Sequence, residues 1–484
     1  MSTNKITIDP VTRVEGHGRV TIHLDEYGKV KDSFFHIVEF RGFERFIQGH
    51  PYWEAPVLVQ RLCGICPVSH HFAAAKAIDQ LVGIDPETLS PTASKLRRLL
   101  HYAQIFQSHA LHFFYLASPD LLFGMDAPVS KRNVVAVAQA NKELATKGIL
   151  MRKFGQEIIK ALTGKKIHGI MAVPGGVHKT LSPEERDYFL NGENIPSIDT
   201  MIEWSLEMVD FMADYHVKNK QFLDDFATFE SGHLGMVDEH GRLELYHGPL
   251  RAIDAGGIRT LNDVPTDHYQ QYFAEGVEKW SYMKFPYLKH LGRKKGWNRV
   301  GPLARMNVCN SITTSLAEKA RQDFFAFAGT KVVNATMYTH WARLIEILHC
   351  GELIRDLLHD PELLGNDLHR EGTHRLEGIG IIEAPRGTLT HHYQVNEKGM
   401  ITRCNLIVST THNNDAMNTA VKWVADKVLN QSGTITENML NQVEVAIRAF
   451  DPCLSCATQA LGKMSLIAEL YDSQNNLIES KRRC

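Results

Sequence analysis

A chain of 484 residues, 44% hydrophobic and 22% charged, can bury a substantial core, and its 53 basic against 55 acidic residues leave a formal net charge of −2. That balance offers no surplus of positive charge to neutralise a phosphate backbone or anionic lipid, which argues against nucleic acid and membrane surfaces as partners. Residues 1–20 hold no apolar run of the signal-peptide kind, and no span of about 18 apolar residues occurs anywhere, so the sequence reads as soluble and intracellular.

In chain order, the first predicted element is a β-hairpin over residues 19–40, where apolar and polar positions alternate around a Gly-containing turn. Helical spacing of apolar residues follows over 94–117, 138–162 and 198–226. A second hairpin is expected over 235–246 with DEHGR as its turn, then a helix over 340–358. A third hairpin over 391–408 turns at NEKGM and leads into a helix over 416–429. Several of these helices exceed the usual globular length. The predicted fold class is therefore α+β, mainly α: a long-helix bundle with small antiparallel sheets at the N-terminus and the bundle ends. The Pro/Gly clusters at 174–176, 301–302 and 384–387 are too short to be linkers, so one large domain is expected. No GxGxxG or GxxxxGK[ST] loop occurs, hence no dinucleotide or nucleoside triphosphate site of the chain's own.

Eight cysteines are too few for a disulfide scaffold at this length. Four form CxxC pairs, Cys63 with Cys66 in RLCGICPVSHH and Cys453 with Cys456 in FDPCLSCATQALGKM, while Cys309, Cys350, Cys404 and Cys484 stand singly. Two intervening residues make a turn that brings both thiols to one side, often at a helix start. Pro452 is expected to hold Asp451 extended. A four-cysteine structural zinc site is the plain reading of two such pairs. Against it, zinc ribbons close their pairs over about 15–20 residues, whereas here nearly the whole chain intervenes. A core this large also folds without a metal clip.

The two motifs resemble the N- and C-terminal signatures of nickel–iron hydrogenase large subunits, RxCGxCxxxH and DPCxxC. DPVTRVEGH from Asp9, EFRGFE from Glu39, GKKIHG from Gly164, VPGG from Val173, GPLARMN from Gly301, ARLIE from Ala342 and EAPRGTL from Glu383 extend the resemblance across the sequence. Within the family it is similar to large subunits of cytoplasmic NAD-reducing (bidirectional) hydrogenases. Splitting dihydrogen heterolytically needs a metal, a nearby base and a dry pocket, and thiolates are soft ligands suited to a late transition metal.

The resemblance implies that Cys63 and Cys453 are terminal on nickel and that Cys66 and Cys456 bridge it to an iron carrying cyanide and carbon monoxide. Glu15 matches the family's proton-gate glutamate; alternatively it pairs with Arg13 or Arg19. Arg386 would stand over the open metal position and could donate to a cyanide nitrogen, with Ser409 and Thr410 as further cyanide partners or as plain strand-end residues. His70 would donate to a cysteine sulfur, and His71 has no assignment. Asp120 resembles an acid near the site or caps a helix. Glu44 and Gln459 match ligands of a magnesium or iron ion, with Gln459 standing where the family usually has histidine. Residues 1–459 would form the hydrogenase domain, and 460–484 an extension removed on maturation or, alternatively, an ordinary C-terminal strand.

The four single cysteines show no cluster-binding pattern, so electrons must leave through a partner carrying iron–sulfur clusters. The resemblance names that partner as a small hydrogenase subunit, joined by an NAD-reducing module bearing flavin (FMN) and iron–sulfur clusters. It also implies a maturation endopeptidase and nickel-insertion factors. The expected function is reversible cleavage of H2 coupled to NAD+; a hydrogen-sensing regulatory subunit with the same metal site is the alternative.

Overall fold

The computed structural model describes residues 5–430, 436–459, 466–471 and 477–483. An N-terminal antiparallel sheet runs β1 (Lys5–Ile8), β2 (Gly18–Leu24) and β3 (Val30–Ile37), and its alternation turns Val20, Ile22, Phe35 and Ile37 into the core. Four main helices follow: α1 (Pro67–Leu81), α2 (Pro91–Leu111), α3 (Lys142–Thr163) and α4 (Ile198–Asp225). Three open on side-chain caps, in which Ser90, Asn141 and Ser197 accept from the amides of Ala93, Leu144 and Thr200. The Asn141 cap corrects the helix expected over 138–162, because the chain breaks there into Val134–Ala140 and α3.

Strands β4 (Gly232–Met236), β5 (Leu250–Ile253) and β6 (Arg259–Val264) form a sheet with Asn298–Arg299 on the edge of β4. This corrects the hairpin expected over 235–246. Its turn forms, with the Gly241 amide donating to the Asp238 carbonyl, but only Val237 and Leu243 bridge across it. The Glu244 carboxylate takes the amides of Leu245, Tyr246 and His247, leading the chain away, and β4 pairs with β5 instead.

Helix α5 (Thr339–His359) packs on α2 and α4 to complete the bundle. The sheet of β7 (Glu377–Ala384), β8 (Gly387–Val395) and β9 (Ile401–Ile407) contains the third predicted hairpin. Helices α6 (Asn414–Val424) and α7 (Glu437–Ala449) lead to the C-terminal cysteines, and β10 (Leu466–Tyr471) pairs with β11 (Leu477–Arg483) beyond them. The mainly helical α+β architecture is as expected. Among the described residues, no helix is long and apolar enough to cross a membrane.

Helix α1 gives no amphipathic signal because every residue but Gln80 is buried. It lies directly on β7: a Cβ added at Gly378 or Gly380 would fall 2.0 Å from the Ala77 carbonyl oxygen or 1.9 Å from that of Ala73. Lys76 ties the layers together, donating to the carbonyls of Tyr246 and Ile381 at 2.6 Å each, and burial pulls its ammonium down to about 7.

Candidate metal centre

Cys66 forms the N-cap of α1 with Pro67 at the first helical position, where the missing amide costs nothing. Three residues earlier, Cys63 leaves a short 3-10 turn, and its sulfur accepts from the amides of Ile65 and Cys66 at 3.1 and 3.3 Å. Cys453 and Cys456 occupy the loop after α7. All four are buried, with ligand atoms within 4.8 Å of one another, and they are the one such group of His, Cys, Asp or Glu among the described residues. Cys453 lies 3.3 Å from Cys63 and 2.7 Å from Cys456, and Cys66 lies 3.7 Å from Cys456. Hydrogen bonds from the other thiols and from His70 draw Cys66 well below the usual thiol range, while burial pushes Cys453 and Cys456 up. Such a set is stabilised as thiolates by a soft cation. Cys309, Cys350 and Cys404 are buried singly, and Cys484 lies outside the described residues.

A closed zinc site would be served by the sulfurs alone. Here a small pocket with room for about one water adjoins them, lined by Cys66, His70, Arg386, Ser409, Thr410 and Cys453. Arg386 leaves its Nη1 buried without a partner among the described residues, a donor that fits small hydrogen-bond-accepting ligands on a metal. The residues therefore fit a metal with an open flank better than a structural ion.

Around the cluster, Glu15 forms a parallel bridge with Cys453, and its Oε2 accepts from the Cys453 thiol at 3.0 Å and from the Ser455 amide at 3.1 Å. Arg13 turns instead to Asp120 at 2.6 Å, and Arg448 grips the other Asp120 oxygen. Asp120 thus pairs with two arginines and makes no helix-capping hydrogen bond. Arg386 donates through Nε to the Asp451 carbonyl at 2.6 Å and through Nη2 to its carboxylate at 3.1 Å. That double grip accounts for a correction: Asp451 is not extended but lies at φ +51°. Burial lifts the Asp451 carboxyl despite the facing guanidinium. Sequence reasoning missed Asp451 as a partner of Arg386, although it lies inside the DPCLSC motif.

Thr410 Oγ1 accepts from the Cys453 amide at 2.9 Å, and Ser409 donates to the Gly387 carbonyl at 2.6 Å. His70 lines the same small pocket as Cys66, whereas His71 faces away to Pro56, Met171 and Ala172. Glu44 and Gln459 are neighbours, the Glu44 amide donating to the Gln459 side-chain oxygen at 3.2 Å. Glu44 Oε1 takes both the Lys284 ammonium at 2.7 Å and the Leu406 amide at 2.8 Å.

A family model described as nickel-dependent hydrogenase matches residues 41–148 and 254–459, and one described as HoxL-like matches residues 5–40. The chain is 49% identical to the NAD-reducing hydrogenase HoxS subunit beta of Cupriavidus necator, over 99% of its own length and 100% of that relative's. It is 40% identical to a chain of the vhc F420-non-reducing hydrogenase of Methanococcus voltae, over 97% and 98%. A crystal structure of an NAD+-reducing [NiFe]-hydrogenase in the H2-reduced state superposes with a TM-score of 0.91 at 52% identity, covering 95% of this chain and 100% of that one.

Proposed function

Since this chain belongs to the nickel-dependent hydrogenase family, we propose that its four thiolates hold a nickel–iron centre and that the electrons taken from dihydrogen pass through partner subunits to NAD+. The observation that carries the reading is the Cys453 thiol, which meets three other sulfurs and the Glu15 carboxylate at once. When bound, the centre supplies heterolytic cleavage of dihydrogen. Cys63 and Cys453 would hold its nickel, and Cys66 and Cys456 would hold nickel and iron together.

Cys453 hands a proton to Glu15 across 3.0 Å, and Glu15, only half-buried, delivers it outward. Arg386, fixed by Asp451, covers the open flank with an unspent donor. The Thr410 hydroxyl accepts from the Cys453 amide and keeps its own proton to donate to a cyanide, whereas Ser409 spends its proton on Gly387. A magnesium or iron ion held at Glu44 and Gln459 would share the Glu44 carboxylate with the Lys284 ammonium.

The single buried cysteines Cys309, Cys350 and Cys404 offer no electron relay, so the reading includes a small iron–sulfur subunit together with a flavin-containing NAD-reducing module. It also includes a cytoplasmic site of action, nickel-insertion factors, and an endopeptidase that removes residues 460–484; Ala460 itself lies outside the described residues. Metal analysis with infrared spectroscopy of the purified complex tests the centre. Nickel, iron and cyanide/carbonyl bands are expected, and zinc alone would overturn it. Hydrogen-dependent NAD reduction should be abolished by Cys453→Ser, and reduction at the wild-type rate would remove Cys453 from the chemistry.

A further inference from the structure

Next to the cluster lies a run of buried side chains that the proton path does not use. His70, on the first turn of α1, meets His391 of β8 with Nδ1 and Nε2 3.1 Å apart. His391 in turn holds the Tyr393 hydroxyl at 2.7 Å through its other nitrogen, Nδ1. The exposures of His70, His391 and Tyr393 are 1%, 0% and 0%, so water does not compete for these contacts.

A neutral imidazole carries one N–H and one bare nitrogen, so a string of two imidazoles runs in one sense or the other as a whole. The Tyr393 hydroxyl sets the sense. Its one hydrogen-bond partner among the described residues is His391 Nδ1, and a buried phenol with a single partner donates to it rather than leave its proton unmet. His391 must then carry its proton on Nε2 and donate to His70 Nδ1. That leaves the His70 proton on Nε2, the nitrogen not engaged by His391, beside the small pocket that His70 and Cys66 line together. Burial keeps His391 neutral and the Tyr393 phenol protonated, as the string requires. The opposite sense would present a bare nitrogen to Cys66, which suits a thiol and repels a thiolate.

We infer that Tyr393 and His391 are positioning residues that fix the tautomer of His70, so that a permanent N–H donor faces the Cys66 sulfur and withdraws electron density from it. The inference rests on the nickel–iron reading, in which Cys66 bridges the two metals. A donor on a bridging thiolate weakens its donation to both, and outer partners of this kind tune a site through the ligand they touch.

The test is infrared spectroscopy of the metal-loaded complex carrying Tyr393→Phe, which preserves ring volume and removes only the terminal hydroxyl. Metal content and circular dichroism report that the variant is loaded and folded. Loss of the donor should enrich the thiolate and shift the carbonyl band to lower wavenumber, with a larger shift of the same sign in His70→Ala. His391→Leu, which cuts the string at its middle, should fall between them. Carbonyl and cyanide bands unmoved in a loaded Tyr393→Phe protein overturn the inference, whatever His70→Ala does. Absence of those bands from the wild type would instead overturn the nickel–iron reading, and the inference with it.

Discussion

Cys63 and Cys66 sit at the mouth of a helix buried on every side, whereas Cys453 and Cys456 lie in a loop held by side chains from three other parts of the chain. The first pair is placed by packing: α1 rests on the bare backbone of Gly378 and Gly380, and Lys76 pins it to two carbonyls. The second is placed by polar contacts, with Glu15 on the Cys453 thiol, Thr410 on its amide, and Arg386 on Asp451 just before it. Packing gives a rigid frame that tolerates little change. Hydrogen bonds can be altered one at a time, and the groups proposed to move protons and cover the open flank gather on that side. One half of the site is scaffold, and the other is where chemistry is adjusted.

Three experiments would break or sharpen this contrast. The largest effect is expected on the polar side: Glu15→Gln keeps an acceptor for the Ser455 amide but cannot relay a proton, so turnover should fall about 10²–10⁴-fold. Infrared bands should stay in place, and undiminished hydrogen–deuterium exchange would remove Glu15 from the path. On the packed side, Gly380→Val drives side-chain atoms into the Ala73 carbonyl and should cost at least about 1–3 kcal/mol of stability. Its signature is a lower Tm of the metal-free chain, and an unchanged Tm would show that α1 is not seated by close approach.

The smallest effect is a pH dependence of the packed side. Burial lowers His71 and His109 to about 4 and His101 to about 3. In the unfolded chain these imidazoles take up protons near their ordinary value of about 6.5. Below that pH the unfolded state binds more protons than the folded one, so stability falls as the pH drops from about 6.5 towards 4. The urea midpoint of the metal-free protein should be lower at pH 5.5 than at pH 7.5, and equal midpoints would contradict the neutral, buried assignment.

What the sequence made legible follows the same division. Long helices with one apolar stripe, α3 and α4 among them, announce themselves through periodicity. Helix α1 does not, because it is buried all round and so has no stripe to find. Two CxxC pairs with their flanking motifs pointed to the four ligands, and RVEGH pointed to Glu15. The partnerships were hidden. Asp451 reaches Arg386 across 65 residues, Arg13 and Arg448 converge on Asp120, and Glu244 diverts a hairpin by capturing three amides in its own vicinity. A carboxylate's partner depends on which segments the core brings together, and local pattern carries no record of that.

The sulfurs of Cys63 and Cys453 come from positions 390 residues apart and end 3.3 Å from each other. During synthesis the first pair leaves the ribosome long before the second exists. A stalled or truncated product therefore holds half a site and can close nothing on it. Ligation by all four thiols amounts to a check on translation itself, passed only by a chain that has been read at least as far as Cys456.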